Sequence, residues 1–504
     1  MNKNSLIEQI RNFFEPNSVA IVGASKKVDK AGHVIFKNFV ENKRTGLFKG
    51  EIYPVNPHEE TILGYKCYPS VSKLPVNEVE LVVIVVPAQT VPNVMRDAIE
   101  KHVKAAIIIS SGFGEVGNFE LENEVKRIAY EGGIRVLGPN CLGVYDPSTG
   151  VDTLFLPVTK MLISGEEVIA TPRPKEGKIA VLTQSGAFGV AALDYLAGKQ
   201  LGISKFVSFG NRVDLDESDL LHYFLHDNNT KVILMYLESI RDGKRFIEVA
   251  SKVTRIKPIV ALKSGKTRAG AKAALSHTAS VAGSDEVYNA AFFKSGIIRA
   301  QNMHEFFNIG KALAMQPPAK GRNICIITDA GGPGIMVADE CELRGLKIEN
   351  ISEEGLKILE QMRDRGEIPK FASISNPIDL TGSVTADMIV KVTEIVYNDM
   401  EVDGIILLGL HHVPGLQEDY VDRIASIVQG KVKPIVACDI GETEMALYIR
   451  GKFEKFSIPA YASPEEAAYT MSALCHYGEY LKQCKNDSRC CHDNLSSMSN
   501  YILL

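Results

Sequence analysis

His277 stands in the run Ala274-Leu275-Ser276-His277-Thr278-Ala279-Ser280, after a stretch of glycines and cations (Lys263, Gly265, Lys266, Arg268, Gly270, Lys272). An imidazole nitrogen attacks a phosphoryl group well when a carboxylate at its other nitrogen fixes the tautomer and stabilises the cation formed. Glu238, in Glu238-Ser239, is the carboxylate this chain offers. Phosphoryl oxygens need hydrogen-bond donors, and a helix N-terminus supplies free N–H groups together with the positive end of its dipole. Gln184-Ser185-Gly186-Ala187 reads as one such start, with Ser185, Gly186 and Ala187 as phosphate contacts. Gly331 and Gly332, in Gly331-Gly332-Pro333-Gly334, read as a second, and the loop Gly409-Leu410-His411-His412-Val413-Pro414-Gly415 is an equal candidate for that role. Each feature has a plain structural alternative: a structural histidine, a solvated Glu238 paired with Arg241 or Lys244, or an ordinary Ser-Gly helix cap. His411-His412 has no carboxylate or cysteine at ligand spacing, so no metal is expected there.

These residues must be positioned by strands and helices, and the chain alternates the two throughout. The first segment holds strand-like runs at Ser18–Val22, Ile52–Val55, Leu81–Val86, Ala105–Ile109 and Arg135–Leu137. The run from Leu81 is apolar at every position, as a parallel strand buried on both faces must be. A second segment begins at Gly177 and a third at Gly321, each with the same alternation. The expectation is three consecutive doubly wound α/β domains, Rossmann-like or flavodoxin-like, with mainly parallel sheets. Their expected bounds are 8–145, 177–318 and 319–482, with an irregular crossover at 146–176 and a flexible tail at 483–504. In open sheets of this kind ligands bind beyond the carboxyl ends of the strands. The loops there carry Gly23-Ala24-Ser25, Asn56-Pro57, Pro87, Ser111-Gly112 and Asn140, which together favour a nucleotide-type ligand. Gly23 does not open a GxGxxG pattern and no acidic residue closes the second strand, which disfavours a dinucleotide dehydrogenase. In the second segment the common strand order puts Ser185-Gly186 beside Glu238-Ser239, with His277 delivered toward the same rim.

A chain of 504 residues is too long for one core, and a prior of roughly 150 residues per domain gives about three. Its 45% hydrophobic content, 23% charged content and net charge of −5 describe a globular protein with no global attraction to nucleic acid or acidic lipid. No apolar run is long enough to span a membrane. Nine cysteines are scattered without a framework, and a cytoplasmic protein is expected.

Taken together and in order, these motifs, with Gly112-Phe113-Gly114, Gly138-Pro139-Asn140-Cys141-Leu142-Gly143 and Asn376-Pro377-Ile378-Asp379, carry a resemblance over about residues 8 to 480. The chain resembles the α subunit of the ADP-forming (NDP-forming) acyl-CoA synthetases, or acetate–CoA ligases, of the succinyl-CoA synthetase superfamily. That resemblance implies a CoA-binding first domain, a second domain carrying the phosphohistidine, and a flavodoxin-like third domain supplying part of the phosphate site. His277 matches the family's phosphohistidine and Glu238 the glutamate that stabilises it. Ser185 and Gly186 match the phosphate-binding helix start. Gly23, Ala24, Ser25, Asn56, Pro57, Pro87, Ser111, Gly112 and Asn140 become the expected CoA contacts. The implied substrates are CoA or acyl-CoA, phosphate and a small carboxylic acid. Mg2+ and ADP or ATP are implied on an ATP-grasp β subunit, in a heterotetramer. The alternatives are a CoA-binding regulatory or scaffold protein without phosphoryl transfer, or a relative specific for succinyl- or aryl-CoA. The presence of His277, Glu238 and Ser185 together speaks against the scaffold.

Overall fold

The computed structural model describes residues 3–272, 284–430 and 432–486. The chain divides into two compact units, Met1–Arg299 and Ala300–Leu504. Three parallel-stranded sheets make up its framework, two in the first unit and one in the second.

In the first sheet the strands Ser18–Val22, Glu51–Val55, Leu81–Ile84, Ala105–Ile108 and Arg135–Leu137 run parallel. The second strand lies outside the first, and the others follow in order on the far side. Leu81–Ile84 is buried along its whole length. Because successive side chains point to opposite faces, Leu81 and Val83 enter one core and Val82 and Ile84 another. The first of these cores continues without a break into the second sheet, through Leu182, Val207, Ile233 and Met235. Shared burial is what makes two sheets one unit.

The second sheet has the parallel strands Glu176–Thr183, Ile203–Ser208, Val232–Leu237 and Ile259–Lys263 at its centre. Glu176–Thr183 sits between Ile203–Ser208 and Val232–Leu237, the topological switch point. At one edge the sheet is extended by antiparallel strands Gly143–Asp146 and Val151–Asp152. The sequence reading ends the first domain at 145 and treats 146–176 as an irregular crossover. Instead the chain enters the second sheet at Gly143, and Thr159–Met161 and Glu167–Ile169 form a separate antiparallel hairpin. These strands are only two to four residues long, too short to show a periodicity.

The third sheet repeats the order of the first, with strands Ile324–Thr328, Ile378–Asp379, Gly404–Leu408, Ile435–Cys438 and Ala460–Tyr461. Ile378–Asp379 is only two residues long and pairs with the end of Ile324–Thr328. The helix Met303–Met315 falls in the second compact unit. Asn308 Nδ2 donates to Glu466 Oε1 (2.9 Å) and Tyr469 Oη (2.6 Å), and Lys311 Nζ to Glu454 Oε1 (2.6 Å). The closing helix runs from Pro464 to Asn486, past the expected start of a tail at 483. The rest of that tail, 487–504, lies outside the described residues.

Candidate functional site

At the second sheet's rim, the Thr183 hydroxyl donates to Ser185 O (2.8 Å) and accepts from Ser185 N–H (3.1 Å). This latch turns the chain sharply into the helix Gly186–Gly198, whose N-cap is Ser185. Ser185 Oγ accepts from Phe188 N–H at 3.3 Å. The N–H groups of Gly186 and Ala187 precede the first helical hydrogen bonds and stand at the open, positive end. Gln184 then ties this start to the neighbouring strand end. Its Oε1 accepts from the N–H of Glu238 and, at 3.0 Å, from that of Ser239. Ser185-Gly186 and Glu238-Ser239 are thus held against one another by a side chain the sequence reading passed over. Behind them the buried Arg212 donates to Ser239 O (3.0 Å), Ser239 Oγ (2.9 Å) and Glu217 Oε2 (3.0 Å), and Glu217 Oε1 accepts from Arg241 N–H (2.9 Å). A buried carboxylate and guanidinium bonded in this way fix the Glu238 loop, although Arg212 Nε makes no hydrogen bond. Glu238 itself is half-buried.

His277 lies outside the described residues, within 273–283. The strand that leads toward it ends at Lys263, which is 1% exposed. Its ammonium donates to Ser264 O and sits 4.4 Å from the centroid of the Tyr288 ring. Burial pushes the Lys263 pKa down, against the opposing pull of Asp285 and Glu238.

The first sheet's rim collects the expected CoA contacts. Gly23 (φ +95°) approaches so closely that a Cβ there would lie 2.4 Å from Val85 O, and one on Gly32 would lie 2.0 Å from Gly23 O. Only glycine fits either position. Asn56 Nδ2 donates to Ala24 O (2.8 Å), and His33 Nδ1–H to Ser25 O (2.9 Å), which joins the first two loops. Ser110 Oγ donates to Val86 O (2.5 Å), and Asn140 N–H to Ser110 O (2.9 Å), which joins the next three. Pro57, Pro87, Ser111 and Asn140 are exposed along this edge. Gly112 differs, because its N–H donates to Glu115 Oε1 at 2.5 Å and is therefore already used within the chain. Asn211, in the loop that follows the strand Ile203–Ser208, donates to Glu115 Oε2 (2.6 Å) and Glu122 Oε2 (2.9 Å), linking the two rims.

The third sheet builds its rim as the second does. The Thr328 hydroxyl donates to Ala330 O (3.0 Å) and accepts from Ala330 N–H (3.0 Å), turning the chain into the helix Gly331–Leu343. Gly334 packs on the Thr328 methyl, and Gly189 on the Thr183 methyl and Phe206. Where Gln184 reaches Glu238-Ser239, Asp329 Oδ2 accepts from Leu410 N–H at 2.8 Å. Gly331 and Gly332 are exposed at the helix start, and Ala330 provides no side-chain cap. His411 meets a partner that local spacing does not reveal: its Nδ1–H donates to Asp439 Oδ1 at 2.7 Å. Burial pushes Asp329 up to about 7 and raises Asp439, with His411 working against the latter shift. Asp439 follows the fourth strand much as Asp329 follows the first, and position at a strand end was the only signal available in the sequence. Among the described residues no group of three or more His, Cys, Asp or Glu is placed to hold a metal ion.

Three family models match the chain: a CoA binding domain over 17–147, a succinyl-CoA ligase like flavodoxin domain over 176–313 and a ligase-CoA domain over 324–477. The flavodoxin description thus falls on the second sheet, where the sequence reading attached it to the third. The acetate–CoA ligase [ADP-forming] II subunit alpha of Pyrococcus furiosus is 36% identical, with 94% of this chain and 98% of that one covered. The chain belongs to the ADP-forming acetate–CoA ligase α-subunit family. The acetate–CoA ligase [ADP-forming] of Methanocaldococcus jannaschii is 38% identical over 94% of this α-subunit-type chain, which spans only 65% of that longer protein. Among solved structures, an acetyl-coenzyme A synthetase 1 of Ca. Korarchaeum cryptofilum, in complex with phosphate and ADP, superposes with a TM-score of 0.84. Its identity is 36%, with 94% of this chain and 98% of that one covered. No helix among the described residues is long and apolar enough to cross a membrane.

Proposed function

We propose that this chain is the α subunit of an ADP-forming acyl-CoA synthetase, acetyl-CoA being the reference substrate. It interconverts acyl-CoA, ADP and phosphate with carboxylic acid, CoA and ATP. The observation that carries the reading is the Gln184 bridge, which holds a helix start and Glu238 at one switch point of an α-subunit family member. CoA lies along the first sheet's rim, with its phosphates against Gly23-Ala24-Ser25 and its remaining contacts from Asn56, Pro57, Pro87, Ser111 and Asn140. Gly112 contributes shape rather than its N–H.

A phosphate oxygen attacks the thioester carbonyl carbon, the C–S bond breaks, and CoA leaves with the proton released by phosphate. An imidazole nitrogen of His277 then attacks phosphorus, the bond to the acyl oxygen breaks, and the carboxylate departs with the electron pair. Glu238 stabilises the resulting cationic ring, while Ser185, Gly186 and Ala187 receive the phosphoryl oxygens. Gly331 and Gly332, in the other unit, form a helix start of the same kind, suited to phosphoryl oxygens. Transfer to ADP frees His277. The nucleotide belongs to a separate ATP-grasp β subunit, and Mg2+ bound with it offsets phosphate charge. The complete enzyme is a heterotetramer, and the reduced buried cysteines fit a cytoplasmic setting.

The test is incubation of the chain with acetyl-CoA and radiolabelled phosphate. Acid-labile, base-stable label is expected on the wild type and not on His277→Ala, which should still bind CoA. Label on neither protein, with CoA binding intact, would instead favour a CoA-binding scaffold.

A further inference from the structure

Four lysines are buried among the described residues, and three of them are well matched. Lys205 Nζ lies 3.3 Å from Asp146 Oδ2 and 3.4 Å from Asp227 Oδ1, and Lys311 Nζ donates to Glu454 Oε1 (2.6 Å). Lys257 Nζ donates to Phe224 O and Asp227 O, each at 2.6 Å. Lys263 is the exception. It is 1% exposed, forms no ion pair with a described residue, and gives its ammonium one acceptor, Ser264 O, and the face of Tyr288. Arg268 and Lys272, which follow it in the sequence, are exposed. A buried charge without a carboxylate partner is costly to keep, and a methionine of similar shape would avoid that cost. Its position gives the reason. Lys263 pairs in register with Leu237, and Ser264 N–H donates to Leu237 O at 3.0 Å, so the ammonium is tied to the strand end from which Glu238 follows. Tyr288 approaches the same loop, where a backbone hydrogen bond from Ile240 opposes the rise that burial gives its pKa.

We propose that Lys263 is a positioning residue for the phosphoryl transfer, its buried ammonium being the counter-charge that keeps Glu238 an anion. The proposal deepens the phosphohistidine reading and rests on it for its use, because only an ionised Glu238 stabilises the cationic ring. The other charged groups around the ammonium are Asp285, Arg299 and, behind Tyr288, Arg212 and Glu217. They offset one another in pairs, Asp285 with Arg299 at 2.5 Å and Glu217 with Arg212 at 3.0 Å. That leaves Glu238, whose charge acts against the downward push that burial gives Lys263. The cations closest to Glu238 in sequence are directed elsewhere: Arg241 donates to Arg212 O (2.5 Å) and Lys244 is exposed. Tyr288 and Tyr236, the phenols beside Lys263 and Glu238, are both raised by burial and stay neutral.

Carbon-13 labelling of glutamate carboxyl groups in the full chain reads Glu238 directly, since its signal is the one lost in Glu238→Gln. Lys263→Met removes the charge and keeps the shape, while Lys263→Gln removes the charge and keeps a donor for Ser264 O. Each should raise the pH at which Glu238 titrates by about one unit, the scale of a neighbouring charge. Phosphate labelling of His277 should then fall away at a correspondingly higher pH, about tenfold slower than wild type on the acid side. Tyr288→Phe keeps the ring and should match wild type in both measurements. A lysine kept only for structure would instead lower the urea midpoint of Lys263→Met and leave the Glu238 titration unmoved. That result, or a Lys263→Gln that behaves as wild type, overturns the proposal. A wild type that takes no label while Glu238 still follows the charge at position 263 rejects the catalytic scheme alone.

Discussion

Asp329 shows how much a single position can depend on its surroundings. Its sequence context, Thr328-Asp329-Ala330-Gly331, gives no reason for an unusual acid. Packed beneath a helix start with Asp439 nearby, its pKa rises from 3.8 to about 7. Between those values the folded protein holds a proton that the unfolded chain has released. Stability therefore falls as pH rises through that window and is flat above it. Asp329→Asn removes this slope, and thermal unfolding should show the variant gaining on wild type between pH 5 and pH 8. The gain is a few kcal/mol at most, since each pH unit of that window is worth about 1.4 kcal/mol. An unchanged pH dependence would mean that another group carries it. Gln184 is the counterpart in the second sheet. Alanine there leaves two N–H groups without their acceptor, at a cost of about 1–3 kcal/mol for each one that stays buried. Gln184→Ala should lower both the unfolding temperature and the rate of phosphate labelling. Normal labelling at reduced stability would separate the bridge from the chemistry.

Each Thr-latched turn works only because the following helix can lie close to its strand. A Cβ on Gly189 would meet Phe206 Cζ at 2.7 Å and Thr183 Cγ2 at 3.1 Å, and one on Gly334 would meet Thr328 Cγ2 at 2.9 Å. Overpacking of this kind costs about 1–3 kcal/mol. Gly189→Ala and Gly334→Ala should each destabilise the chain by that amount in urea titrations, and each should displace its helix start from the rim. Gly32 is more severe, since its added carbon would fall 2.0 Å from a backbone oxygen that cannot move aside. Gly32→Ala should abolish CoA binding before it changes phosphate binding.

Within the first unit, sheets one and two share a core and are pinned by Arg135, whose guanidinium donates to both oxygens of Asp214 at 2.8 and 3.0 Å. Asp214 Oδ2 also accepts from Val136 N–H at 2.8 Å. Removing one partner of a largely buried pair leaves the other uncompensated, and such losses reach about 3–5 kcal/mol. Asp214→Ala should accordingly destabilise the unit as a whole. CoA binding and labelling at His277 should be lost at the same urea concentration, because the two sheets unfold as one. Separate midpoints would show that each sheet stands alone.

Sequence by itself determined the strand and helix alternation, because apolar runs such as Leu81–Ile84 can only be buried on both faces. It also singled out candidate strand ends, since Ser185-Gly186, Glu238 and Gly331-Gly332 stand out by residue type next to a periodic run. Short edge strands such as Val151–Asp152 escaped it, being stabilised by pairing across the sheet rather than by any local pattern. The Gln184 bridge and the His411–Asp439 pair escaped it for a related reason. Their partners lie 54 and 28 residues away, and only the parallel register of the strands brings them within hydrogen-bond reach. Tertiary structure alone decided which of many polar residues lost their water, and so which carboxylates changed their acidity.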